Sequence, residues 1–227
     1  MLALLACAIF GLLQLSSSYD VVSIENIDLN RVGKVATASD LAKFPNSSFG
    51  FTWNAEDQAS TKWRPQGLTT IVDHQEYVIA SWYGRDQENY ANRGVRISLV
   101  NISNETAIQV EYRHILLVDE NYATFEGMHG GGIEVLQSTD ATGSEYEVLH
   151  VPDSRSGSKK VYTFSMSNIQ YVPESDRDLF YGYVYVLPRS GSGTAGSYEV
   201  PVTPSFLSFD PARQQMLVGA FHQCSSY

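Results

Sequence analysis

A group of four strand-like segments recurs along this chain, and the repeat constrains the fold more than any other feature. Gly67 and Gly131 are 64 residues apart, and Val78 and Val148 are 70 apart. The first group comprises Gln66–Val72, Glu76–Gly84, Gly94–Ser103 and Glu111–Asp119; the second comprises Gly130–Gln137, Glu145–Ser154, Lys159–Ile169 and Tyr181–Pro188; Pro204–Asp210 and Gln214–Gln223 begin a third. Four strands per period of this length are typical of propeller blades.

The alternation of residues inside these segments supports strands rather than helices. Val95, Ile97 and Leu99 alternate with Arg96 and Ser98, which is the period of a half-buried strand. The one helical turn predicted is 39–43, with Ser39 as its N-cap. The Gly- and Ser-rich stretch 188–196 is predicted to be a surface loop between two strands.

The sequence therefore predicts an all-β protein, a β-propeller built of four-stranded antiparallel blades. A single blade has two apolar faces and buries both only by packing between neighbours. About two and a half groups do not close a ring of 4 to 8 blades. The chain is thus expected to be a piece of a longer propeller, and the rival interpretation is that the groups are the two sheets of a sandwich.

Charge and chain organisation limit the classes of partner. The 15 Lys and Arg residues are outnumbered by 25 Asp and Glu residues, for a net charge of −10. This balance argues against nucleic acid and anionic membranes, because both require a concentrated positive face. We expect a signal peptide over 1–18, an N-terminal extension over 19–62 and propeller blades over 63–227.

The first 18 residues are the main sign of secretion. The apolar run over 2–15 is followed by Ser16, Ser17 and Ser18, as in a cleavable signal peptide. A membrane anchor is the alternative, but a spanning helix needs about 20 apolar residues. We therefore expect an extracellular protein with no membrane span once the signal is removed.

Sequons and cysteines are consistent with secretion. Three glycosylation sequons begin at Asn46, Asn101 and Asn104. Signal cleavage would leave Cys224 as the sole cysteine, and in an oxidising compartment such a thiol usually has a partner. We therefore expect a partner cysteine beyond Tyr227, with a free or intermolecular Cys224 as the alternative.

Several phrases of the chain, taken together, resemble a known family. They are WRPQGLTT (63–70), YVIASWY (77–83), HGGGIEVL (129–136) and SFLSFDPARQQMLVGAFHQ (205–223). The chain resembles a family of uncharacterised secreted proteins of fungi and actinobacteria that are expected to be β-propellers. The resemblance implies the fold and secretion and no particular activity. It also implies that the chain would continue beyond its last residue. A more remote likeness to lactonase-type propellers has no metal-ligand motif that matches here.

The sequence HGGG at 129–132 is also the oxyanion-loop motif of some esterases. That fold needs a Gly-x-Ser-x-Gly elbow, and this chain has none. The three glycines are better interpreted as the start of an innermost strand, where neighbouring backbones approach closely.

Candidate site residues follow from their predicted places in the blades. Arg64, Gln66 and His129, with Ser205 in the third group, are expected to face a central channel that could bind a ligand. Trp82 is a further candidate for ligand binding. It belongs to an aromatic set that comprises Trp63, Trp82, Tyr83 and Tyr90.

Catalytic candidates are fewer. His129 could act as a general base or metal ligand, with Glu126 or Asp153 beside it. For Asp86 and Asp153 a turn-forming role is the alternative. A channel-bound divalent metal ion is conceivable, although no zinc or calcium motif is present.

Two functions are therefore open at this point. The favoured one is a secreted binding or scaffold module whose channel or top face holds a ligand such as a glycan or a protein. The alternative is a hydrolase or lactonase-like enzyme that uses the channel residues.

Overall fold

The structure is a computed structural model that describes residues 19–44, 49–85, 87–103, 108–191 and 196–220. It is built almost entirely of strands. The strands are β1 (Asp20–Val21), β2 (Arg31–Val35), β3 (Phe51–Thr52), β4 (Trp63–Thr70), β5 (Tyr77–Gly84), β6 (Val95–Asn101), β7 (Gln109–Val118), β8 (Glu134–Thr139), β9 (Glu145–Pro152), β10 (Lys160–Ser165), β11 (Gln170–Tyr171), β12 (Tyr185–Pro188), β13 (Ser197–Glu199), β14 (Phe206–Asp210) and β15 (Gln215–Gly219). The predicted all-β class is confirmed.

Helices are short. Two α-helices, α1 (Ala38–Leu41) and α2 (Ala55–Gln58), accompany 3-10 helices at Ile24–Asn26, Gln87–Arg93, Met166–Asn168 and Glu174–Phe180. The prediction that Ser39 caps the first helical turn is wrong. Thr37 is the N-cap, because its side chain accepts from the Asp40 backbone while the Asp40 carboxylate accepts from the Thr37 backbone.

The strands form three open sheets. A large sheet has the order β1-β11-β12-β7-β6-β5-β4, with β2 paired to both β3 and β7. A second sheet has the order β13-β10-β9-β8, and β14 pairs with β15 in a separate hairpin. The antiparallel runs β4 to β7 and β8 to β10 correspond to the first two predicted groups.

The fourth strand of the second group does not lie at its predicted position. Tyr181–Pro188 was expected beside Lys159–Ile169, but β12 instead pairs in parallel with β7 in the large sheet. The second sheet is completed by β13, which pairs with β10. Every residue of β12 is buried, so this segment needs an interior position, whereas the partly exposed β13 suits a sheet edge.

The main core lies between the large and second sheets. Ile79, Ile97 and Ile115 of the large sheet belong to the same buried cluster as Leu149 and Phe164 of the second. Alternation along each strand places these side chains on the facing surfaces. The two sheets therefore bury one apolar face of each other.

The opposite face of the large sheet is covered by part of the segment 19–62, which was expected to be an extension, while Ile24 and Ile27 of the same segment join the main core. Val100 and Tyr112 on that face pack against Phe51 and Trp53. The Trp53 ring lies 5.1 Å from the Tyr112 ring at a steep angle. Since β5, β6 and β7 are covered on both sides, almost all of their residues are buried.

The glycines of the HGGG sequence lie where three backbone segments run side by side. A Cβ on Gly67 would lie 2.6 Å from the Gly131 carbonyl oxygen, and one on Gly131 would collide with the Ser205 carbonyl oxygen. Gly132 forms a parallel bridge with Phe206. The predicted close approach of backbones is therefore present at these glycines.

This crowding predicts a large cost for a single methyl group. Gly131→Ala should lower the free energy of unfolding by about 2 kcal/mol or more, because the added Cβ meets backbone that cannot rotate away. Gly50→Ala is the matched control, since its Cβ would meet side chains and no backbone, namely Leu41 at 3.3 Å and Ala36 at 3.5 Å. Urea denaturation measures both variants, and equal stabilities would contradict the close approach.

Candidate functional site

A cavity lies on the outer face of the large sheet. It has a volume of about 590 Å³, within the range of small-molecule sites. Residues from five stretches of chain line it: 30–31, 56–63, 93–96, 113–114 and 181–184. The cavity therefore joins the N-terminal segment, the centre of the large sheet and the segment before β12.

The charges that line this cavity are mostly positive. The cationic side chains are Arg31, Lys62, Arg93, Arg96 and Arg113, and the carboxylates are Glu56 and Asp57. Five against two leaves an excess of three positive charges, whereas the whole chain carries −10. We call this cavity the cationic pocket.

Asp57 is the residue on which the other side chains of the pocket converge. Its backbone N–H is held by the Asn54 side chain, which caps α2. The donors to its carboxylate are Arg31 Nη1 at 2.8 Å, Arg96 Nη2 at 3.1 Å, Tyr112 Oη at 2.6 Å and His114 Nε2 at 3.0 Å. The first donor comes from β2, the second from β6, and the last two from β7.

Asp57 remains ionised in this environment. Burial would raise the pKa of its carboxyl group, but hydrogen bonds from His114 and Tyr112 and the charge of Arg96 outweigh burial and lower the pKa well below its usual value. The hydroxyl of Tyr112 stays protonated, because burial and its hydrogen bond to Asp57 raise its pKa.

His114 is neutral, and its partners fix its tautomer. Burial, reinforced by the charge of Arg96, lowers the pKa of His114 to about 3. Asp57 can only accept, so Nε2 carries the proton and donates to it. Nδ1, 2.8 Å from Ser98 Oγ, then accepts from the Ser98 hydroxyl, whose oxygen accepts from Trp82 Nε1–H at 2.7 Å.

Ser98, His114 and Asp57 are thus linked like the residues of a catalytic triad. A nucleophilic serine must be reachable by substrate, but Ser98 has no exposed surface. Its hydroxyl is also already occupied by Trp82 and His114. The chain of hydrogen bonds therefore positions Asp57 and does not activate a nucleophile.

Arg96 is held on the wall of the pocket by aromatic rings. Its guanidinium lies 4.5 Å from the centre of the Trp63 ring and 4.8 Å from that of Trp82. It donates to Asp57 and, at 3.4 Å, to the Tyr183 hydroxyl. Among the described residues, its buried Nε has no hydrogen-bond partner. Ring faces attract a guanidinium cation and so help to hold Arg96 in this position.

The residues predicted to face a channel lie elsewhere. Arg64 and Gln66 are exposed on β4, and His129 is exposed in the loop before β8. The His129 ring stacks on Tyr83 at 4.3 Å, and Tyr83 is the ladder partner of Arg64. The structure therefore brings Arg64 and His129 to either side of Tyr83, away from the cationic pocket.

A smaller cavity of about 310 Å³ lies beside this group. Ser154, Ser156, Thr203 and Ser205 contribute to its lining. The Ser154 hydroxyl also accepts from the His129 backbone N–H at 3.1 Å. The predicted channel residues His129 and Ser205 are thus both next to Ser154.

The remaining catalytic candidates are tied into local structure. Asp153 is buried and accepts from the side chains of Arg155, Ser158 and Tyr162. Burial raises the pKa of Asp153, but the hydrogen bonds from Arg155 and Ser158 outweigh burial and lower the pKa below its usual value. Arg155 also donates to the backbone carbonyl of the exposed Glu126. Arg155 thus bridges the Asp153 carboxylate and the Glu126 backbone carbonyl, and the Glu126 carboxylate takes no part in this bridge.

The other predicted site residues are placed as follows. Trp82 is 1% exposed, so a ligand would not reach its indole directly. The indole instead donates to the Ser98 hydroxyl and lies against the Arg96 guanidinium. Asn101 ends β6, where its side chain accepts from the Ser103 backbone. Asn46, Asn104, Asp86 and Cys224 lie outside the described residues, as does the proposed signal segment 1–18.

Sequence reasoning did not identify the cationic pocket. Arg96 and Ser98 were assigned to the solvent side of a strand, and Asp57 to an extension. The signal in the sequence is the presence of Ser98 and His114 within two apolar strands. The register of β6 and β7 places Ser98 opposite His114 and Val100 opposite Tyr112. Polar residues on one face of two strands this apolar indicate a buried polar network.

Comparison of the chain with protein-family models, curated proteins and solved structures finds no match. The resemblance to secreted propeller proteins stays a prediction.

The described residues also bear on membrane spans and on metal ligands. Within those ranges, no helix has both the length and the apolar composition needed to cross a membrane. Nor do three His, Cys, Asp or Glu side chains there converge in an arrangement that would hold a metal ion.

Removing the charge of Asp57 should destabilise the protein strongly. Asp57→Asn leaves Arg31 and Arg96 without their shared anion, and breaking a buried ion pair in this way costs about 3 to 5 kcal/mol. Glu56→Gln is the matched control next to it, because the Glu56 side chain is 79% exposed and should contribute less than about 1 kcal/mol. Equal unfolding free energies in urea for the two variants would contradict the network.

The neutral state of His114 makes stability depend on pH. Its folded-state pKa of about 3 lies below the ordinary value of 6.5, so the unfolded chain takes up a proton first as pH falls. The free energy of unfolding should therefore fall from about pH 6.5 downward, by up to about 1.4 kcal/mol per pH unit for this group. His114→Gln should remove about one proton's contribution to this slope of unfolding free energy against pH. An unchanged slope would show that His114 is not the group that titrates.

Proposed function

We propose that this protein is a binding module that holds a small anionic ligand in the cationic pocket. The observation that carries the proposal is the excess of three positive charges around a cavity of about 590 Å³ in a chain of net charge −10. A cleft with one sign of charge and low-dielectric walls concentrates ligands of the opposite sign. The negative charge of the ligand would balance the excess positive charge of the residues that line the pocket.

The positive charges are preorganised, which favours binding. Asp57 anchors Arg31 and Arg96, so little side-chain entropy remains to be lost when a ligand arrives. Burial lowers the pKa of Arg113, which means that its charge is incompletely solvated. The Asp28 carboxylate, 3.5 Å from Arg113 and 77% exposed, offsets only part of that loss of solvation, and an anion in the pocket would offset more of it.

We further propose that the fold is a β-propeller and that the protein is secreted. Support for blades comes from the antiparallel runs β4 to β7 and β8 to β10, and from the hairpin β14–β15. Gly67, Gly131 and Ser205, at or near the starts of these groups, lie in contact distance, as innermost strands around an axis would. Support for secretion comes from the apolar segment 2–15 and the three sequons.

Binding has more support than hydrolysis. Ser98 is buried, and the Asp153 carboxylate is engaged by three neighbouring side chains. His129 stacks on Tyr83, and its backbone is held by Ser154. A hydrolase built on His129, Glu126 and Asp153 would need Asp153 to leave its present partners.

A titration with simple anions tests the binding proposal. Sulfate and citrate, added at constant ionic strength, should quench or enhance tryptophan fluorescence saturably, because Trp63 lines the pocket. Lys62→Gln and Arg93→Gln should each weaken binding about tenfold, since a hydrogen bond to a charged group contributes about 1.5 kcal/mol.

Matched controls are available outside the pocket. Lys43→Gln and Arg213→Gln remove the same charges from side chains that are 68% and 74% exposed. These variants should bind like the native protein. No saturable binding, or equal weakening by all four substitutions, would contradict a site at the pocket.

A further inference from the structure

Tyr181, on the rim of the cationic pocket, adopts a backbone conformation that its residue type makes costly. It follows the 3-10 helix Glu174–Phe180 with φ 55° and ψ 30°, in the left-handed region. Glycine or asparagine is the usual residue at such a position, and a bulky side chain there is strained. Strain that persists at a ligand site suggests a role for the side chain.

Core packing does not account for the presence of this tyrosine. The Tyr181 side chain is 43% exposed and belongs to none of the buried clusters. Its ring instead lies under the guanidinium of Arg93, 4.8 Å from the ring centre, and both residues line the pocket. The arrangement places a flat apolar surface and a positive charge together at the rim.

The rest of the lining indicates what kind of anion would fit. Asn30, Ser60 and Thr61 offer hydrogen bonds, and Trp63, the largest apolar residue of the lining, is only 5% exposed. A fatty acid would therefore find little apolar surface. The ligand should be hydrophilic over most of its area.

Glu56 separates two kinds of hydrophilic anion. Its carboxylate is 79% exposed and lies among the cations of the pocket. It pairs with Arg31 at 3.3 Å and opposes each negative charge placed beside it, and a phosphate ester carries up to two such charges where a carboxylate carries one. A ligand with one carboxylate and many hydroxyl groups would use Glu56 as an acceptor for those hydroxyls and the arginines for its charge.

We propose that the cationic pocket binds a carboxylated sugar of the uronic acid class, with the Tyr181 ring stacked on a face of the pyranose. The proposal rests on the anion-binding function proposed above. Axial C–H groups of a pyranose carry slight positive charge and face the negative face of an aromatic ring favourably. Arg93 and Arg113 would bind the carboxylate, and Glu56, Ser60 and Thr61 the hydroxyl groups.

The experiment compares sugars that differ in one group. Galacturonate, glucuronate and their short oligomers are titrated by calorimetry against galactose and glucose, which lack the carboxylate, and against sulfate and glucose 6-phosphate. We expect a uronate to bind at least about tenfold more tightly than the neutral sugars and than sulfate.

Tyr181→Asn gives a sharper test, because asparagine tolerates the left-handed conformation and the variant should fold at least as stably as the native protein. It should weaken uronate binding about fivefold or more, and by a larger factor than sulfate binding, whereas Tyr181→Phe keeps the ring and should retain uronate binding.

The outcomes separate this inference from the proposed function. Sulfate binding without preference for uronates, tighter binding of glucose 6-phosphate, or full uronate binding by Tyr181→Asn would overturn the inference and leave anion binding standing. Binding of none of the anions would overturn both.

Discussion

The buried carboxylate of Asp57 is the interaction on which the rest of the structure depends. Removing a carboxylate from water costs several kcal/mol, and only multiple charged or hydrogen-bonding partners offset that cost. Asp57 has four, of which two are arginines. Because the donors come from β2, β6 and β7 while Asp57 belongs to α2, one carboxylate fixes the N-terminal segment against the large sheet. Two of the arginines of the cationic pocket, Arg31 and Arg96, are held by the same contact.

This arrangement explains why the large sheet is apolar on one face and mixed on the other. Its inner face, with Ile79, Ile97 and Ile115, packs on the second sheet and needs no polar group. Its outer face carries Ser98 and His114, which are buried by the N-terminal segment and satisfied by hydrogen bonds. A buried polar network in which each member has its partner specifies one packing arrangement, because any other would leave donors unpaired.

Strand positions were largely predictable from the sequence, and the site was not. The period of two in β6 and the glycines near Gly131 depend on neighbours close in sequence or on backbone contact. The partner of Tyr181–Pro188 and the place of Asp57 depend on long-range packing. Asp57 is 39 positions from Arg96 and 57 from His114, and nothing local marks it as buried. The pocket could not be predicted for the same reason, because the residues that line it are far apart in the sequence.

The central claim is that Asp57 is an ionised hub that accepts from a neutral His114. Nitrogen-15 NMR of the His114 ring tests this most directly, since its shifts distinguish the two neutral tautomers from the imidazolium. The account predicts a neutral ring with the proton on Nε2 at every pH from 7 to about 4, because the pKa of His114 is lowered to about 3. An imidazolium signal at pH 6, or a proton on Nδ1, would contradict it.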